Sequence, residues 1–146
     1  MVDDKPLGMA VCPLKRRLFV AGQSNNDVIV IDVENDEVVG RIPVGKEPWY
    51  IGIDPAMNRA YVSNRAENTV SVINTLNNQV ITTIKVGSQP LGIAVATSIN
   101  MLYVVSHIDH TVSIINTRSN KVVDTIKVGA PLYSPRSGSL WGVAVF

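Results

Sequence analysis

In residues 88–129 the apolar positions form four short runs: Leu91 to Val95, Met101 to Val105, Thr111 to Ile115 and Lys121 to Val128. Each has the length of a β-strand, and none holds a helical period long enough to make a helix. The first run contains Gly92-Ile93-Ala94-Val95, apolar with small side chains, which suits a crowded centre. The fourth alternates instead. Val80, Thr82, Ile84 and Val86 are expected on one face of the preceding copy, with Ile81, Thr83 and Lys85 on the other. Lys85 and Lys127, with Pro43 in the first unit, are devices that protect an exposed sheet edge. The predicted order therefore runs from an inner first strand to an outer fourth.

Turn chemistry separates the runs. Asp54-Pro55 with Asn58 joins the first pair, Asn68 lies in the second turn and Asn77-Asn78 in the third. These residues tolerate left-handed backbone or form Asx-turns, as tight hairpins require.

The whole pattern repeats. Val44-Gly45, Val86-Gly87 and Val128-Gly129 are 42 residues apart. The same shift aligns Pro6, Pro48 and Pro90, then Phe19, Tyr61 and Tyr103, then Val20, Val62 and Val104, and also Asp32, Asn74 and Asn116. Segments 46–87 and 88–129 agree at 18 of their 42 positions. A four-stranded unit at this period predicts an all-β fold of β-propeller blades. One partial propeller domain over 1–146 is expected, with four-stranded antiparallel blades at about 5–45, 46–87 and 88–129. Trp141-Gly142-Val143-Ala144-Val145 matches the first strand of a further blade at 141–146, after eight residues inserted within the 130–140 loop. Propellers commonly have 4–8 blades, so this chain makes an incomplete ring with two apolar end faces. A second copy of the chain, or missing blades of a longer polypeptide, is expected to cover them.

Tyr61-Val62-Ser63-Asn64 and Tyr103-Val104-Val105-Ser106, with Phe19-Val20-Ala21-Gly22 as a weaker copy, carry a family signature. Around them stand Pro-x-Gly-Ile-Ala-Val, Thr-Val-Ser-(Val/Ile)-Ile-Asn and Val-x-x-Thr-Ile-Lys-Val-Gly. The repeat resembles the YVTN-family β-propeller unit of surface-layer and other envelope-associated proteins. That resemblance implies a cell-envelope or extracellular setting. It leaves function open, because such propellers serve in adhesion, ligand binding and cofactor enzymes.

Composition narrows the partners. Hydrophobic residues are 46% of the chain but aromatics only 5%, so the core is aliphatic and β-branched. A net charge of +1 argues against nucleic acid, and Lys15-Arg16-Arg17, the one basic cluster, reads as a solvated turn. The single cysteine, Cys12, excludes an intrachain disulfide and is expected to be a semi-buried apolar residue. Met-Val-Asp-Asp-Lys at the N-terminus has no apolar signal segment. No run reaches the roughly 18 apolar residues of a membrane span, so no membrane insertion is expected.

Candidate chemistry is sought on one face of the disk, where the loops from strand four to strand one meet those from strand two to strand three. The first set supplies Glu47, Trp49 and Tyr50, then Gln89, then Tyr133, Arg136 and Trp141. The second supplies Gln23, Ser24 and Asn25, then Arg65 and Glu67, then His107, Asp109 and His110. Trp49, Arg65, Glu67, His107, Asp109, His110, Arg136 and Trp141 are the ligand-binding candidates. His107, Asp109 and His110 are acceptable ligands for a divalent ion, but His107 stands where other units have Gln23 and Arg65, and His110 where they have Asn26 and Asn68, so a plain hairpin is expected. Trp49 and Trp141 stand where other units have Leu7 and Leu91, which favours packing between blades. Asp32, Asn74 and Asn116 recur in every unit and are read as structural Asx residues.

There is no phosphate loop, no Gly-x-Ser-x-Gly elbow and no nucleophile-plus-base set, so no catalytic residue or cofactor is predicted. The leading expectation is a non-enzymatic binding or interaction module. The alternative is part of a propeller enzyme, lactonase-like or quinoprotein-like, with its site on the central channel face.

Overall fold

A computed structural model describes residues 5–129. The repeat becomes three four-stranded antiparallel sheets. The first holds β1 (Pro6–Cys12), β2 (Arg17–Gly22), β3 (Asp27–Asp32) and β4 (Glu37–Pro43). The second holds β5 (Pro48–Asp54), β6 (Arg59–Asn64), β7 (Thr69–Asn74) and β8 (Gln79–Lys85). The third holds β9 (Pro90–Ala96), β10 (Met101–Ser106), β11 (Thr111–Asn116) and β12 (Lys121–Lys127). Within each sheet the strands pair in sequence order. Arg136 and Trp141, the 130–140 loop and the 141–146 strand lie outside the described residues.

The inner strands meet from sheet to sheet, β1 on β5 and β5 on β9, while the outer strands barely touch. Small residues allow this approach. A Cβ on Gly8 would lie 2.6 Å from the Trp49 carbonyl oxygen, and one on Gly52 would lie 2.8 Å from methyls of both Ile93 and Val95.

The middle sheet is buried on both faces, as period-two alternation demands. Ile51, Ala60, Val62 and Ile73 pack against Phe19, Ala21, Val28, Val30 and Ile42 of the first sheet. Tyr61, Val70, Val72 and Ile84 pack against Ile93, Leu102, Val104 and Ile115 of the third. Cys12 belongs to the first of these cores and is fully rather than partly buried, a free thiol acting as a small apolar residue.

The regular alternation expected over residues 80–86 is broken. Val72 pairs with Thr82 but Ile73 pairs with Val80, which leaves Ile81 out of the ladder and places Val80 and Thr82 on opposite faces. The same bulge occurs at Val39 and at Val123. An extra residue bends and twists the strand, and here it does so in every outer strand, where an edge must be kept from pairing with another chain.

Among the described residues every turn carries one left-handed residue, none of them glycine. Asn26, Asn68 and His110 form one series at 42-residue spacing; Arg16, Asn58 and Asn100 form another, and Asp36, Asn78 and Asn120 a third. Lys5, Glu47 and Gln89 are the fourth, each before a proline that opens a sheet. Asp32 Oδ1 accepts the N–H groups of Glu34 and Asn35, Asn74 Oδ1 that of Leu76, and Asn116 Oδ1 those of Arg118 and Ser119. These three are Asx residues of the third turn, as their recurrence suggested.

Candidate functional site

Backbone hydrogen bonds join the two loop sets on one face. The N–H groups of Gln23, Arg65 and His107 donate to the carbonyls of Lys5, Glu47 and Gln89 at 3.2, 2.9 and 3.0 Å. Each second-to-third-strand loop is thereby held beside the residue that leads into its own sheet.

Two open grooves run between successive sheets on this face. The first, of ≈ 370 Å³, is lined by Lys5, Gln23, Ser24, Asn26, Lys46, Glu47 and Ala66. The second, of ≈ 480 Å³, is lined by Glu47, Arg65, Ala66, Asn68, Ser88, Gln89 and Ile108. Adding 42 to each position of the first groove gives the second.

Arg65 is the centre of the second groove. Its Nη1 donates to Glu47 Oε2 at 2.6 Å and its Nη2 to Gln89 Oε1 at 3.3 Å. The guanidinium also lies 5.4 Å from the centroid of the Trp49 ring, in cation–π range. Trp49 in turn packs beside Leu91, Val105 and Val112 of the third sheet. Its ring therefore joins two sheets, with its outer side covered by Arg65. Ser63, fully buried, also links these two sheets: it donates to the Leu91 carbonyl at 2.7 Å and accepts the Tyr50 N–H at 3.1 Å.

Glu67 and Asp109 do not converge with Arg65. Both lie over Val-Gly corners: a Cβ on Gly45 would sit 2.5 Å from Glu67 Oε2, and one on Gly87 would sit 2.8 Å from Asp109 Oδ2. Asp109 Oδ2 also accepts the Ser88 N–H at 2.7 Å. His110 occupies the left-handed turn position at φ 55°. Its carbonyl accepts the Val128 N–H at 2.9 Å, and a Cβ on Gly129 would lie 3.2 Å from Nδ1 of its ring. His107 is half-buried beside Gln89. Among the described residues no three His, Cys, Asp or Glu side chains are placed to hold a metal ion.

Sequence reading picked out Gln23, Ser24, Glu47, Arg65 and Gln89 on this face, but not Lys5 or Lys46. The signal was present: Lys5 is the 42-residue counterpart of Glu47, and Lys46 that of Ser88.

No family model and no curated protein matches this chain. Solved structures do. The WD40 repeats of RRP9 superpose on 95% of the chain with a TM-score of 0.80 at 17% identity. These sheets are β-propeller blades. A chain of Kuenenia stuttgartiensis hydrazine synthase matches 84% of this chain with a TM-score of 0.79 and 27% identity. Apo AztD from Citrobacter koseri matches 95%, with a TM-score of 0.71 and 17% identity. The present blades span 41%, 35% and 36% of those three chains, so they form an incomplete propeller.

Proposed function

We propose that this chain is a non-enzymatic β-propeller binding module of the YVTN kind, acting at the cell envelope or outside it, with its ligand on the loop face. One observation carries the reading. Positions that build the blade keep their chemistry from unit to unit, whereas the grooves between blades do not. Pro6, Pro48 and Pro90 recur in the frame, as do Val20, Val62 and Val104, but Lys5 becomes Glu47 and then Gln89, and Gln23 becomes Arg65 and then His107. The fold does not require those changes, so they suit recognition of something outside it.

Further blades complete the ring, from a second copy of the chain or from a longer polypeptide. The repeat itself supports this. Ile42 and Ile84 are 2% and 6% exposed, but their third-blade counterpart Ile126 is 47% exposed; Ile51 and Ile93 are 3% and 6% exposed, but Met9 of the first blade is 65%. The same apolar positions lose their cover at the two ends.

The test is a ¹⁵N NMR screen of the chain against a defined set of small carboxylates, phosphates, sugars and nucleosides. Binding shifts confined to residues 23–26, 46–47, 65–68 and 88–89 support the reading. Shifts at the opposite turns, around residues 13–16, 55–58 and 97–100, or none from any compound, overturn it. The 27% identity to hydrazine synthase favours a second reading, part of a propeller enzyme. In that case the same face would present reacting groups, and turnover of a bound compound in the screen would distinguish it.

A further inference from the structure

The two interblade grooves use the same seven repeat positions but distribute charge differently. In the second, the cation is already engaged: Arg65 is held by Glu47 and Gln89 and lies over Trp49. Ala66 and Ile108 contribute no polar side chain there. In the first, Lys5 stands at the position of Glu47, Gln23 at that of Arg65 and Lys46 at that of Ser88. Neither Lys5 nor Lys46 makes an ion pair among the described residues. Glu47, the one carboxylate among the described residues lining this groove, is turned toward Arg65 on its far side. The Ser24 hydroxyl and the Gln23 amide complete a lining rich in donors.

We propose that the first groove binds a small oxyanion-bearing ligand, a carboxylate or a phosphate, between Lys5 and Lys46. Two ammonium groups in a concavity focus positive potential, and charge-assisted bonds to oxyanions are stronger than neutral ones. The volume of ≈ 370 Å³ falls in the range of small-molecule sites. The second groove is the same site neutralised from within by its own Glu47–Arg65 pair. This inference rests on the loop face being the binding surface and narrows it to one ligand class at one groove. It needs only the first two blades, so it does not depend on how the ring is completed.

The experiment is a ¹⁵N NMR titration of the full chain with sodium phosphate and, separately, sodium succinate at constant ionic strength. Saturable shifts are expected at the amides of Ser24, Asn26, Glu47 and Ala66, with those of Ser88, Gln89 and Ile108 unmoved. Whichever anion saturates at lower concentration identifies the source. Lys5 and Lys46 are both exposed, so the K5Q/K46Q variant is expected to fold and to bind at least tenfold more weakly. K46Q alone, expected to weaken binding several-fold, serves if the double variant does not fold. Shifts that do not saturate, that move both grooves alike, or that survive the lysine substitutions mean an adventitious ion only and overturn the proposal. Should both anions fail while a sugar or nucleoside shifts this face, the anion site falls and the binding-module reading stands.

Discussion

Asn26 Oδ1 accepts the backbone N–H of Glu47 at 2.9 Å, and 42 residues later Asn68 Oδ1 accepts that of Gln89 at the same distance. Each bond ties the tip of a hairpin to the corner where the chain leaves that blade for the next. Both asparagines are left-handed, at φ 57° and 59°, a conformation that most side chains adopt at a penalty. One residue thus shapes the hairpin and locks the crossover.

Replacing Asn68 tests that double role. Asn68→Ala removes the bond to Gln89 and puts alanine in left-handed backbone, so it should destabilise the chain by about 1–2 kcal/mol. Asn68→Gly loses the bond but keeps the easy backbone, and its loss should be smaller. Urea midpoints at unchanged m-value would show the order, which an equal loss in both variants would contradict.

Two glycines should respond in opposite ways. A Cβ on Gly52 would press on Ile93 and Val95 at 2.8 Å, so Gly52→Ala should overpack the inner-strand contact and cost about 1–3 kcal/mol. At Gly40 the nearest atoms are 3.9 Å away, and no glycine among the described residues has positive φ. Gly40→Ala should be neutral or stabilise by up to about 1 kcal/mol through the unfolded chain. Thermal unfolding of the two variants gives the comparison directly.

Alkaline pH should weaken the fold through Tyr61. Burial pushes its hydroxyl up to about 12, with the Asp54 carboxylate adding to the shift and Arg59 opposing it. In the unfolded chain the same group titrates near 10, so its contribution is intact below that pH. Stability should then fall between pH 10 and 12, as the unfolded chain ionises and the folded one resists. The loss is on the order of 2 kcal/mol by linkage. Tyr61→Phe should flatten the slope in that window, and urea unfolding at pH 9 to 12 would measure it. An unchanged slope in the variant would assign the alkaline loss to another group.

The uncovered end faces should drive association. Light scattering at micromolar concentration is expected to give a mass above the 15.8 kDa of one chain. Ile126→Asp, on the open face of the third blade, should restore the monomer with little change in the chain's own unfolding. Ile84→Asp, at the same position inside the stack, should unfold it. A monomeric wild type would assign the end faces to blades of a longer polypeptide.

Much of the frame was legible because its signals are local. The four strands per unit, the Asx residues Asp32, Asn74 and Asn116, and the edge character of Lys85 and Lys127 all follow from neighbours a few residues apart. The bulges at Val39, Ile81 and Val123 were not legible: an unpaired residue in an outer strand looks like another member of the alternation until its partner strand is in place. The same holds for the left-handed Lys5, Glu47 and Gln89. Nothing in a lysine, glutamate or glutamine announces positive φ, whereas asparagine does.

The candidate site divides along the same line. His107, Asp109 and His110 invite a metal reading as a string of letters, yet one faces the Ser88 amide and another Gly129, because the hairpin tip must cover a Val-Gly corner. Period and alternation, set by side-chain size and β-branching along the chain, determined by themselves that this protein is built of blades, and in what strand order. Only the tertiary structure decided that Arg65 meets Glu47 and Trp49 while Lys5 and Lys46 pair with no carboxylate among the described residues. Those pairs lie across blade boundaries, where the repeat supplies the geometry and leaves the charge free to differ.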